Sequence, residues 1–336
     1  MNKELEEKLI KRVKRNPNNL KNIREQTEAI CLAAVKINAC SLQYVKNQTE
    51  AICFATISRE AVAAMEYIKD QTEEMCIEAV KLDGSALQYV KQQTEKICLE
   101  AVKQNGLALQ YVKNKNKNIC LEAVKGNGLA LEYVDYQSED ICLEAVKQTG
   151  YALQYVKYQT EYICLEAVKN FGHSLNYVKH QTKSICLAAI KKYWPALQHV
   201  KNQTEDICIE AIKLDANAIW YVKDQTEAIC LQAIKSGSDL KNIKIKTDKV
   251  YKEALNKDFN HYIDSINIIE KSTAMIVLEA YVQYSVKNKA ILTKILNKFS
   301  KNQEIIDFYT KHKLWKQIDF SKVKLNNKLI QYGMTI

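Results

Sequence analysis

The side chains with the most chemical reach in this sequence are its cysteines, and ten of the eleven are in phase. Cys31, Cys53, Cys76, Cys98, Cys120, Cys142, Cys164, Cys186, Cys208 and Cys230 lie 22 residues apart in eight intervals and 23 in one. Thiols in register could bind metal, cross-link or carry redox chemistry, but the spacing argues against all three. Equivalent positions on stacked helical units lie about 10 Å apart, beyond the roughly 7 Å of Cα separation that a disulfide bridges. There is no Cys-x-x-Cys and no histidine recurring in phase with a cysteine, so zinc has no ligand cluster to use. The remaining reading is a small buried hydrophobe chosen for tight packing in a reducing compartment. Cys40 stands outside the series and is expected to be the most exposed thiol.

A second column, Tyr44, Tyr67, Tyr89, Tyr111, Tyr133, Tyr155, Tyr177 and Tyr221, has the chemistry of a base-stacking platform. Such platforms need cations beside them. Here the +10 net charge sits at the ends, +4 in residues 1–25 and +6 in residues 247–336, and the long middle is balanced. Packing is therefore the expected role of these rings. The five histidines make no nucleophile pair with a cysteine, and neither a phosphate loop nor a metalloprotease helix is present. Acidic pairs such as Glu73-Glu74 and Glu139-Asp140 read as partners of helix dipoles. An enzyme is not the expected class, and no cofactor or metal is expected.

The elements that must position these columns come from the same repetition. The unit reads as two short helices, A and B. The position of Thr94 holds only oxygen-bearing capping residues in ten copies, and Glu follows in eight, the signature of a helix start. Lys closes helix A in nine of ten. Gly84, Gly106, Gly128, Gly150 and Gly172 fall where a left-handed turn would leave helix A, and Pro195 opens a helix B. Ile97, Cys98, Ala101 and Val102 mark the apolar face of A, and Ala108, Leu109 and Val112 that of B. One unit cannot cover its own stripe, so neighbours must stack. The expected fold is an all-α solenoid of ten to eleven 22-residue helical hairpins, a rod or arc on the order of 100 Å long. Residues 1–25 read as a degenerate capping repeat, 26–246 as the tandem repeats, and 247–336 as a separate helical cap or small domain. The pattern dissolves by about Ile245, and Ile266, Ile268, Ile269, Leu278, Tyr281, Val282, Ile291, Ile295 and Phe299 are its expected later core. The extra residue in Ser58-Arg59-Glu60-Ala61-Val62 is expected to kink the array.

The strings Ile97-Cys98-Leu99-Glu100-Ala101-Val102-Lys103 and Leu109-Gln110-Tyr111-Val112-Lys113 resemble a helical repeat of unknown function found in multiple copies in proteins of mimivirus-like giant viruses of amoebae. Related repeats occur in some protists and amoeba-associated bacteria. The resemblance covers residues 26 to about 235. It implies a repeat scaffold and a viral setting, in host cytoplasm or virion, and carries no known activity. The richness in Lys, Asn and Ile is compatible with an AT-rich genome.

Invariant columns build the core, so variable columns are free to carry specificity. The column before each Gln reads Asn47, Asp70, Gln92, Asn114, Tyr136, Tyr158, His180, Asn202 and Asp224, with large rings in three consecutive units. Tyr162 adjoins them in the first turn of a helix A. On the opposite edge the A–B turns become aromatic over the same stretch, with Tyr151, Phe171, His173, Tyr193 and Trp194. Exposed aromatics are common interface anchors, so residues 136–199 are the expected partner-binding surface, for a protein partner. The alternative reading packs these rings over neighbouring turns. Nucleic acid binding through the basic ends, Lys8 to Arg15 and Lys311 to Lys328, is the other functional class, and no stretch has the roughly 18 apolar residues of a membrane span.

Overall fold

The computed structural model describes residues 2–268, 270–286 and 288–318. Every regular element among them is helical, and α-helices alternate with short 3-10 helices through the repeats. The fold is an all-α solenoid. Contacts group the chain into two compact units, Met1–Lys192 and Tyr193–Ile336; the division falls inside the tandem repeats.

In the first unit a typical repeat is the α-helix Glu95–Gln104, a single extended residue, Asn105, and the 3-10 helix Gly106–Tyr111. The Thr94 hydroxyl accepts the Ile97 amide at 3.4 Å, and the Asn116 side chain accepts the Ile119 amide at 2.9 Å, as capping residues do; Ser138 and Thr204 stand at their caps without that bond. Ile97, Cys98, Ala101, Val102, Ala108, Leu109 and Val112 are all buried. Each A element packs on the next A and each B on the next B. Helices this short are marginal alone; burial of each such Ile, Leu or Val side chain, worth about 1.5–3 kcal/mol, is what holds them.

Two expectations are revised. First, B is not an α-helix but a six-residue 3-10 helix, started by a side chain at its cap: the Asn105 carboxamide oxygen accepts the Leu107 amide at 3.0 Å. Six residues at about 2.0 Å per residue cover about 12 Å, against about 9 Å in α form, closer to the length of the ten-residue A helix beside them. Second, the repeat glycines are not left-handed, since the positive-φ glycine is Gly237. Gly84 and Gly106 are required by close approach: a Cβ would meet the Ala101 carbonyl oxygen at 2.5 Å and the Ala123 carbonyl oxygen at 2.4 Å, both in the following repeat. The extra residue near Glu60 falls in the B element Ala61–Tyr67, which winds as a seven-residue α-helix.

At the N-terminal end the helix Lys3–Arg15 buries Val13, the 3-10 helix Pro17–Asn22 buries Leu20, and Ile23 just after it is buried too.

In the second unit the repeats continue through Glu205–Leu214, Ala216–Tyr221 and Glu227–Ser236. Gly237, at φ 103°, then closes a helix end in which the Ser238 amide donates to the Ala233 carbonyl. The repeat geometry persists one element beyond the sequence pattern: Asp248–Lys257 is an A helix capped by Thr247, with Tyr251 in the cysteine slot. The short helix Phe259–Ile263 follows, then Lys271–Gln283, Lys289–Phe299, Gln303–Lys311 and the 3-10 helix Leu314–Gln317. Tyr262, Tyr281 and Tyr309 are buried with their hydroxyls bonded to the Ser238 carbonyl, the Gln317 side chain and the Leu292 carbonyl. Burial pushes the Tyr309 phenol strongly upward. Of the expected later core, Ile266, Ile268, Leu278, Tyr281, Ile291 and Ile295 are buried, Val282 and Phe299 are half-buried, and Ile269 lies outside the described residues.

Candidate interaction surface

The connection from B back to A is built by a glutamine. Gln93 Nε2 donates to the Leu87 carbonyl of the preceding B element at 3.2 Å and to the Tyr111 carbonyl of the following one at 2.9 Å, while its Oε1 accepts the Lys113 amide at 2.9 Å. Gln26, Gln48, Gln71, Gln137 and Gln159 repeat this clip. One carboxamide thus ties backbone groups at two levels, the Leu87 carbonyl (which also accepts the Val90 amide) and the Tyr111 carbonyl and Lys113 amide one repeat on. A second link joins the capping columns: Thr49 Oγ1 donates to Glu28 at 2.5 Å, and Thr182 Oγ1 to Glu161 at 2.9 Å. A third uses lysine, with Lys157 Nζ donating to the Asp135 carbonyl at 2.8 Å and Lys113 Nζ to the Lys91 carbonyl at 3.2 Å.

Where the glutamine is missing, its partner changes with it. Lys115 takes the Gln position and Asp135 the Lys position one repeat on, and they pair at 3.3 Å. Lys117, in place of the usual Glu, pairs with Asp140, whose carboxyl is held down to about 2 by hydrogen bonds from Lys117 and Ser138.

The nine residues of the variable column, eight before a Gln and Asn114 before Lys115, are all exposed. Between successive connections lie clefts of about 550 Å³ and about 500 Å³. Asp70 and Gln92 line the first and Asn114 the second, so the variable column faces this relief. Tyr136 and Tyr158 occupy the column with 84% and 85% of their surface open, and His180 is exposed one repeat further. Tyr162, second residue of the helix Glu161–Asn170, is 52% open.

The aromatics of the opposite edge behave differently. Tyr151 packs against Phe171, His173 and Tyr177 at ring-centroid distances of 5.6, 6.5 and 6.2 Å. These rings contact one another across the turns, and Tyr151 and Phe171 are still 38% and 40% exposed, about half as open as Tyr136 and Tyr158. Tyr193 and Trp194 belong to the second unit, where Trp194 lies 5.9 Å from Tyr221. Sequence reasoning missed Trp220, which is 61% exposed; the available signal was an indole at the position that Gln110 holds elsewhere.

The tyrosine column is half-buried throughout, as packing requires. The ten phased cysteines are buried and free, and Cys40 is half-buried. Burial, with Glu28 nearby, pushes the Cys31 thiol up to about 11, and burial does the same for Cys142, Cys164 and Cys208. Such thiols are poor nucleophiles. Among the described residues no group of three or more His, Cys, Asp or Glu side chains is gathered to hold a metal ion, and no helix is long and apolar enough to cross a membrane. Of the basic ends, Lys8 pairs with Glu4 at 2.8 Å on the helix Lys3–Arg15, and residues 319–328 of the other lie outside the described residues.

No curated protein matches the chain. Residues 72–115, 94–137 and 116–159 each match a family described as Domain of unknown function (DUF4116). The matches begin at Thr72, Thr94 and Asn116, three consecutive helix caps, so the family's unit is two of the repeats described above. Over residues 72–159 the chain is similar to a tandem-repeat family to which no activity is attached.

Proposed function

We propose that this protein is a non-enzymatic repeat scaffold that binds a protein partner along its B-to-A edge, with Tyr136 and Tyr158 as anchors and Tyr162 and His180 beside them. One observation carries the reading. The two rings stand almost fully in solvent on connections that the glutamine clips already hold, so their exposure has no counterpart in folding. Large rings with few rotamers are what interface centres use. The balanced charge of the array and the commitment of its lysines to backbone carbonyls favour a protein over a polyanion. The lysine-, asparagine- and isoleucine-rich composition and the repeat strings support a viral setting for the same scaffold.

The test is affinity capture from amoebal lysate with the full chain at low and high salt, with nuclease, beside Tyr136→Ala/Tyr158→Ala. The expected result is a stoichiometric protein retained at high salt and lost from the double variant. Recovery of nucleic acid alone, falling steeply with salt, would move function to the basic ends.

A further inference from the structure

The rings of the proposed edge have a fixed step. Tyr136, Tyr158 and His180 occupy equivalent places in consecutive repeats, and their A helices pack side by side within the first unit. The step is therefore one helix spacing, about 8–10 Å. A polyproline II segment advances about 9.3 Å per three-residue turn and shows every third side chain on the same face. A β-strand shows alternate residues on one face, so its third residue points away. An α-helical ligand needs a continuous apolar floor for its stripe. Here the residues beside the rings, Gln137, Thr160 and Glu161, are polar and open or half-open to solvent.

Resting on the protein-binding reading above, we propose that Tyr136, Tyr158 and His180, flanked by Tyr162, form a stepped strip for a proline-rich segment in polyproline II conformation. Proline rings at every third residue stack on successive aromatic rings, as in other aromatic-lined grooves for such segments. The segment's carbonyls make no internal hydrogen bonds and need donors. Lys157 Nζ sits beside the strip with one proton on the Asp135 carbonyl and two more to offer. Charges along the strip balance in number: Glu139 and Glu161 are matched by Lys157 and Lys183, and Asp140 is neutralised by Lys117. An uncharged ligand fits that balance better than a phosphate backbone.

The test is fluorescence anisotropy with the full-length protein and a labelled peptide of about twelve residues, four polyproline turns, with proline at every third position. The comparators are a scrambled peptide of the same composition and an oligothymidylate of similar length. The periodic peptide is expected to bind with Kd below about 1 mM, Tyr158→Ala to weaken it about tenfold or more, and Tyr158→Phe and Tyr151→Ala to leave it unchanged. Circular dichroism of Tyr158→Ala should be that of the parent, because the ring is exposed. Equal binding of the scrambled peptide, no binding of the periodic one, indifference to Tyr158→Ala, or preference for oligothymidylate would each overturn the assignment. If the peptide fails while Tyr136→Ala/Tyr158→Ala still abolishes protein capture, the interaction surface stands and only its polyproline ligand falls.

Discussion

The two edges of the first unit carry similar aromatic residues and use them in opposite ways. On the A–B edge Tyr151 stands against Phe171 and His173 of the next repeat, and against Tyr177 at the end of that repeat's B element. On the B–A edge Tyr136 and Tyr158 lean on nothing that the fold requires, because Gln137 and Gln159 have already fixed the chain beneath them. The difference shows that what a ring does in this array depends on whether the backbone under it is otherwise tied. Where a carboxamide clips the connection, the side chain above is released for other work. Where the turn is held by short helix ends and a close-approach glycine, the rings become part of the packing.

The largest perturbation should act on the interior that both edges share. The thiols of Cys31, Cys142, Cys164 and Cys208 ionise near 11 when folded and near 9.0 otherwise, mainly because burial disfavours the thiolate. Raised folded values mean that their stabilisation is complete below pH 9 and is lost as pH rises toward 11. Denaturant titrations should show stability falling across that window on both edges together. Alanine at Cys142 and Cys164 should flatten the alkaline slope; an unchanged slope would mean that the thiols do not govern it.

Next in size is Leu153→Ala, which empties a fully buried site in the B element Gly150–Tyr155 and should cost about 2–5 kcal/mol, measured by chemical unfolding. Gln159→Ala should cost about 1–3 kcal/mol by removing the donor to the Tyr177 carbonyl and the acceptor of the Lys179 amide, while the Leu153 carbonyl keeps the Val156 amide. Hydrogen exchange should then rise at the B–A connection and stay unchanged at the A–B turns. If both edges loosen equally, the division of labour argued above is wrong. The smallest effects compare the edges directly. Tyr151→Ala should destabilise by about 0.5–1.5 kcal/mol through its ring contacts, whereas Tyr158→Ala should stay within about 0.5 kcal/mol. Equal losses from the two would mean that Tyr158 is a packing residue after all.

Much of this was legible in the sequence. The Thr–Glu starts, the Lys endings and the Ile-Cys-x-x-Ala-Val faces name helix A to within a residue, because caps and apolar periodicity act within one helix. The exposed identity of Tyr136 and Tyr158 was also legible, since a column that varies among otherwise identical repeats is not holding the core. Less legible was the glycine column. Gly106 has the same neighbours in sequence as a helix-terminating glycine, and only the Ala123 carbonyl, 17 residues on and one repeat away, shows why it has no side chain. The 3-10 winding of B and the three-way bonding of Gln93 escaped for the same reason.

The sequence by itself thus determined what is local and periodic: the helix starts, the apolar faces, the length of the repeat and the need to stack. Only the tertiary structure decided how the layers are tied and which rings the ties leave free. Those outcomes rest on hydrogen bonds and close contacts between residues about 17 to 22 positions apart. Such pairs meet only after the layers have stacked, and the single-residue columns that form them look, in the chain alone, like any polar loop.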